Sequence, residues 1–199
     1  MAIVVEHDKR RHEILENALE VFMEEGYEEV TLQKIADRCN ITRTTLYTYF
    51  KNKREIFNFS TKQFLEALED DITGIREKAG LSHSEKLIAV MTIIINRLEE
   101  NNRLLTVFLY HLVYYSKGDT DPVYRLRRRT VRLRHILATM LIEGIKAGEF
   151  SPSIKVKEAN EMFYSFVEAA AFRMFVHRRP SVEEIKDSIK LVVQLFSKK

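Results

Sequence analysis

The sequence predicts an all-α protein with a small N-terminal helix-turn-helix domain followed by a larger helical domain. Three observations carry that expectation. Six glycines and three prolines in 199 residues leave few breakers among 45% hydrophobic and 31% charged side chains. Apolar residues recur at helical spacing in one segment after another, and no stretch alternates as a strand does. Residues 31–55, TLQKIADRCNITRTTLYTYFKNKRE, hold two short helical patterns joined by a tight turn.

A first helix is expected from about Asp8, with Ile14, Leu15, Ala18, Leu19 and Phe22 as its stripe and Gly26 as its stop. Lys9, Arg10 and Arg11 at its start fit either phosphate contact or a solvated helix end. Thr31 then caps a second helix in which Leu32, Ile35 and Ala36 share one face. That helix can run to about Cys39. Asn40 stands where a left-handed residue turns the chain, which Asn tolerates better than most. Thr42 caps a third helix with Leu46 and Phe50 on the buried side. Its other face carries Arg43, Thr44, Thr45, Tyr47 and Thr48 and no acid. A basic, hydroxyl-rich second helix after a tight turn is the pattern of a major-groove reader. Asn52 and Glu55 have capping-box spacing, so the next helix starts at Lys53. Cations at Lys53 and Arg54 oppose the helix dipole unless that end meets an anion such as a DNA phosphate.

Here the chain resembles the TetR family of transcriptional regulators. The resemblance rests on Thr31, Ile35-Ala36, Cys39-Asn40-Ile41, Thr42, Leu46-Tyr47-Thr48-Tyr49-Phe50 and Lys53. Asn40 replaces the usual turn Gly, and Thr44 replaces a Gly common in the family's recognition helix. The resemblance covers the first quarter of the chain and implies a dimeric repressor controlled by a small-molecule effector.

Net charge is only +3, yet the charge is unevenly placed. Residues 1–60 hold nine Lys/Arg against eleven Asp/Glu, a net of −2. Residues 31–55 hold six against two, a net of +4. Acids gather between Glu13 and Glu29, so a positive motif side and a negative opposite side are expected. The single cysteine, Cys39, excludes an internal disulfide and a multi-cysteine metal site, and reads as an apolar filler. With neither a signal peptide nor a membrane span in the pattern, a cytoplasmic location is expected.

Beyond residue 52 the expected domain is 53–199. A long helix from Lys53 to near Gly80 places Phe57, Phe64, Leu65, Leu68, Ile72 and Ile75 inward. A Ser82/Glu85 capping box starts the next, with Leu87, Ile88, Met91, Ile94, Ile95 and Leu98 as its stripe. Residues 104–115, LLTVFLYHLVYY, are apolar almost all round. Asp121-Pro122 opens a helix that Gly148 closes. Its run RLRRRTVRLR, 125–134, fits a solvated or acid-paired face better than a second nucleic-acid site. After Ser151-Pro152-Ser153 come a helix over 156–178 and, from a Ser181/Glu184 box, a last one.

Those last two helices carry more apolar surface than one neighbour needs. That surface fits either ordinary core or a four-helix interface between two copies, and Phe163, Phe166, Ala170, Ile185, Ile189, Val192 and Phe196 are the expected homodimer interface, since two half-sites are read better than one. Histidines 7, 12, 83, 111, 135 and 177 show no ligand spacing, and no phosphate loop is present, so neither catalysis, metal nor cofactor is expected. His111 among aromatics fits a satisfied core residue or, with Phe64, Phe108 and Tyr115, the wall of a pocket for a hydrophobic effector. Expected partners are therefore a palindromic duplex, such an effector and a second copy of the chain, with no membrane. Arg43, Thr44 and Thr45 would face bases; Thr31, Tyr47, Tyr49 and Lys53 would hold phosphates, and Thr42 belongs to the same DNA-binding set. An all-helical small-molecule carrier or enzyme, and a ligand-independent interaction protein, are the alternatives.

Overall fold

The computed structural model describes residues 2–102, 105, 107, 122–176 and 182–197, the side chains of 2–5, 122–129 and 175 excepted. Among these are eight helices: α1 (Ala2–Glu25), α2 (Leu32–Arg38), α3 (Arg43–Tyr49), α4 (Lys53–Glu77), α5 (His83–Glu100), α6 (Pro122–Lys146), α7 (Val156–Val176) and α8 (Glu183–Phe196). The all-helical class is as expected from the sequence. Extended pairing among the described residues is limited to one bridge between Phe150 and Ser197, where the Ser151 amide donates to the Phe196 carbonyl at 2.9 Å.

α1 starts six residues before the expected Asp8. Nothing between Ala2 and Asp8 breaks a helix, and β-branched residues cost only a few tenths of a kcal/mol each, so the helix extends backward. Gly26, at φ 79°, ends it as expected. The phenylalanine count of the sequence becomes structural here. Phe22, Tyr27 and Phe57 form a ring cluster with centroids 5.0 to 5.7 Å apart. Around it pack Ile14, Leu15, Ala18, Val21, Ile35, Ala36, Leu46, Phe50 and Ile56. This core, with Val107, belongs to the first of two compact units, built on residues up to Ala67.

The second unit begins at Leu68 and takes in α5 to α8. Ser82 and Glu85 form the expected capping box: the Ser82 side chain accepts from the Glu85 amide at 3.1 Å, and the Glu85 carboxylate accepts from the Ser82 amide at 2.8 Å. Such a cap is worth about 1 kcal/mol. α5 buries Leu87, Val90, Met91, Ile94 and Ile95 against Leu133, Leu137, Met140 and Leu141 of α6 and against α7 and α8. Gly144 of α6 is there for clearance. A Cβ at that position would sit 2.2 Å from the buried Phe150 ring.

Two expectations change at the C-terminal end. Phe163, Ala170, Ile185 and Ile189 are buried in the chain's own core, so they are not available as a surface. Phe166, Val192 and Phe196 are half-buried and pack on the same core. The apolar side chains left exposed are one step around each helix: Phe172 (66% exposed) and Val176 on α7, Leu191 (57%) and Leu195 (74%) on α8. The breadth of the apolar face is readable in the sequence; which edge the fold itself covers is not. The last helix is also capped differently. Val182 is its N-cap and makes no side-chain cap bond, while the Glu184 carboxylate is drawn to Arg173 at 3.0 Å. Ser181, Pro180, Asp121 and the segment 108–121, including Phe108, His111 and Tyr115, lie outside the described residues.

Candidate nucleic-acid interface

The turn between α2 and α3 is built from three local devices. Thr31 caps α2 by accepting from the Lys34 amide at 3.2 Å, and Thr42 caps α3 by accepting from the Thr45 amide at 3.1 Å. Between them Asn40 has φ 52°, the left-handed conformation expected of it, and the Ile41 amide bonds back to the Ala36 carbonyl at 3.0 Å. Leu46 and Phe50 are buried beneath α3. Its outer face therefore presents Arg43, Thr44, Tyr47 and Thr48 to solvent, with Thr45 half-buried.

Most of these side chains are already oriented by their neighbours. The Arg43 guanidinium donates to the Tyr47 hydroxyl at 3.1 Å and lies 5.6 Å from the ring centroid. Thr42 and Thr45 share a hydroxyl–hydroxyl bond of 2.8 Å, and Thr48 donates to the Thr45 carbonyl at 2.7 Å. Tyr49, at the end of α3, is half-buried and stacks on His7 of α1. Thr44 projects outward with its hydroxyl available.

The cations divide into two groups. Lys34 pairs with Glu25, and Arg38 with Glu24 and Glu20, so both fasten α2 to α1. Glu24 and then Glu20 raise the Arg38 pKa further. Lys53 is committed as well. Its ammonium donates to the Tyr27 carbonyl at 2.8 Å and the Glu28 carbonyl at 3.0 Å, and lies 4.7 Å from the Tyr27 ring centroid. Arg43, Lys51 and Arg54 are exposed and carry no carboxylate partner among the described residues. The expected positive face is thus narrower than the charge count of 31–55 implies.

The start of α4 differs slightly from a capping box. Asn52 accepts from the Glu55 amide at 2.9 Å, but the Glu55 carboxylate reaches the Lys51 amide, one residue earlier, at 2.6 Å. At the other end of the turn, Arg10 donates to the Cys39 carbonyl at 3.0 Å and pairs with Glu13. Burial pushes the Cys39 thiol up, against the pull of Arg10 and Arg38, which suits a filler rather than a reactive group. Arg11 lies 4.2 Å from the Phe59 ring centroid and 5.1 Å from that of Phe50. Arg10 and Arg11 are therefore structural, an outcome that the alternatives of phosphate contact and solvated end did not include.

Outside this face, the arginine run is paired where its side chains are described. Arg132 meets Glu69 at 3.2 Å, and Arg134 meets Glu161 at 2.5 Å with its guanidinium 3.6 Å from the Tyr164 centroid. Arg125, Arg128 and Arg129 lie outside the described side chains. Phe64 is half-buried on α4. No described helix is long and apolar enough to cross a membrane.

Residues 14–58 match the domain of bacterial regulatory proteins of the tetR family. Over 160 residues the chain is 29% identical to the fatty acid metabolism regulator protein of Bacillus subtilis, covering 78% of each. It is 27% identical over 158 residues to the HTH-type transcriptional repressor KstR2 of Mycolicibacterium smegmatis, covering 79% of this chain and 74% of that one. The crystal structure of FadR from Bacillus subtilis in complex with stearoyl-CoA shares the fold with a TM-score of 0.68 at 25% identity, over 91% of this chain and 96% of that one. Motif, matched domain and all-helical architecture agree: the chain carries a tetR-family DNA-binding domain over residues 14–58 and is a DNA-binding transcriptional regulator.

Proposed function

We propose that the chain is a homodimeric repressor that leaves a palindromic operator when a long-chain acyl-CoA thioester binds its larger helical region. The similarity to the Bacillus subtilis fatty acid regulator carries this reading, because it extends over 78% of each chain and well past residues 14–58. An acyl chain is also the kind of ligand that a lining of aromatic side chains with one imidazole can take up, while its thioester and phosphates supply polar handles. Phe64, Phe108, His111 and Tyr115 remain the candidate lining.

On DNA, Arg43, Thr44 and Thr45 face base edges. Thr31, Thr42, Tyr47 and Tyr49 meet the backbone, joined by Lys51 and Arg54, with Lys53 acting mainly by holding the start of α4 in place. Two copies associate through the exposed edge of α7 and α8, around Phe172, Val176, Leu191 and Leu195. Dimerisation sets the two α3 helices about 34–36 Å apart, one turn of the duplex. α4 is one continuous helix common to both units, so a ligand that prefers one of its settings shifts the DNA-competent population. A regulator of this kind works in the cytoplasm, where the chromosome lies.

The test starts by enriching an operator from a random duplex pool with the full chain. Anisotropy titrations of that duplex follow with stearoyl-CoA, stearate or coenzyme A added. Stearoyl-CoA should release the duplex and coenzyme A should not. Unchanged affinity with acyl-CoA of every chain length would overturn the effector assignment while leaving DNA binding in place.

A further inference from the structure

α1 meets the far end of the recognition helix through aromatic and cationic side chains one turn apart. The His7 imidazole stacks on the Tyr49 ring with centroids 4.6 Å apart and planes 23° from parallel. Arg11, four residues on and so on the same face, lies over Phe50 and Phe59, whose rings are 6.3 Å apart. Arg11 closes onto a buried ring, Phe50, and its contribution is to the core. His7 is different. It is exposed, and its ring partner is the half-buried tyrosine that closes α3. An exposed histidine on an exposed helix turn does nothing for a core, so the stack's consequence lies in the position it gives Tyr49.

We propose that His7 is a positioning residue for DNA binding: it holds the Tyr49 phenol in the orientation from which the hydroxyl meets an operator phosphate. A tyrosine side chain free in solution has rotamers to lose when it binds, and a stacked ring has already lost them. Aromatic stacking is worth enough to matter at this scale, and it needs a flat ring at position 7 rather than a charge. A phosphate contact positions without reading sequence. His7 therefore acts on all duplexes alike, unlike Arg43, whose partner would be a base.

This rests on the reading of α3 as the DNA-facing helix, so the experiment carries a variant for each claim. Full-length protein is titrated with its enriched operator and with an unrelated mixed-sequence duplex of equal length. His7→Ala should weaken both by about two- to tenfold, with the ratio between them unchanged. His7→Phe, which keeps the stack, should restore both; His7→Lys, which supplies a cation but not the stack, should not. In a Tyr49→Ala background, His7→Ala should add nothing further. Thermal melting should show all variants folded, since His7 is exposed. Normal binding by His7→Ala, failure of His7→Phe to recover it, or an undiminished effect without Tyr49 would each overturn the proposal. Rescue by His7→Lys alone would replace positioning with direct phosphate contact. If Arg43→Ala also binds normally, the DNA-facing role of α3 has failed instead.

Discussion

α3 and α8 are both helices with one face in a core, and what they leave outside differs. α3 buries Leu46 and exposes Arg43, Thr44, Tyr47 and Thr48. α8 buries Ile185, Ile189 and Val193 and exposes Leu191 and Leu195 beside its charged residues. Hydroxyls and a guanidinium suit a hydrated, anionic partner; leucines suit a partner that excludes water. The same contrast appears in how the elements are held. Caps, ion pairs and carbonyl contacts set the two short helices of the reader. Packing of some twenty buried side chains sets the second unit.

The sharpest way to break the comparison is to place a carboxylate on each side of α8. Ile189→Glu buries a charge with no partner at a fully enclosed position and should cost about 3–5 kcal/mol or more, enough to unfold the chain in thermal or urea melts. Leu195→Glu, at a position 74% exposed, should leave the melt nearly unchanged and dissociate the proposed dimer in sedimentation. Equal behaviour of the two would remove the distinction between core and surface edge.

Gly144→Ala tests the packing of the second unit from inside. Helix propensity alone would favour Ala by about 1 kcal/mol. The Phe150 ring, 2.2 Å from the new methyl and itself buried, should reverse the sign and give a loss of about 1–3 kcal/mol by urea denaturation. A gain would mean the ring shifts freely.

On the reader, Arg43→Ala should cost about 1–3 kcal/mol on the operator and relax its sequence preference in an anisotropy competition. Lys51→Ala or Arg54→Ala should reduce the slope of affinity against salt by about one, on any duplex. Lys53→Ala should show mainly as a lower melting temperature, because it removes a tie to Tyr27 and Glu28. A salt slope that falls more for Lys53 than for Lys51 or Arg54 would return Lys53 to the phosphate contacts.

The smallest effect concerns acid. Burial alone would raise Glu149. Hydrogen bonds from the His83 ring and from the His83 and Ser84 amides outweigh it and hold the carboxyl below its ordinary value of 4.5. A depressed carboxyl stabilises the fold fully above the ordinary value and loses that contribution as pH falls through the folded-state value. Chain stability should therefore decline below about pH 4.5, and Glu149→Gln should show a shallower decline in urea midpoints across that range.

Much of this was present in the sequence by itself, because it is local. Thr31, Thr42 and Ser82 cap helices through bonds reaching three residues, and Asn40 turns the chain by its own φ. The i, i+3, i+4 stripes fixed which faces of α4 and α5 go inward, and the reader's polar face followed from them. What tertiary structure alone decided is non-local. Lys34 and Arg38 look like free cations until Glu20, Glu24 and Glu25 of α1 come beside them, and Lys53 looks like one until the Tyr27 and Glu28 carbonyls do. An apolar stripe does not say which of its residues the fold itself will cover: Ile189 is buried and Leu191, two positions on, is exposed. Periodicity is set by the geometry of one helix; pairing is set by where the others lie.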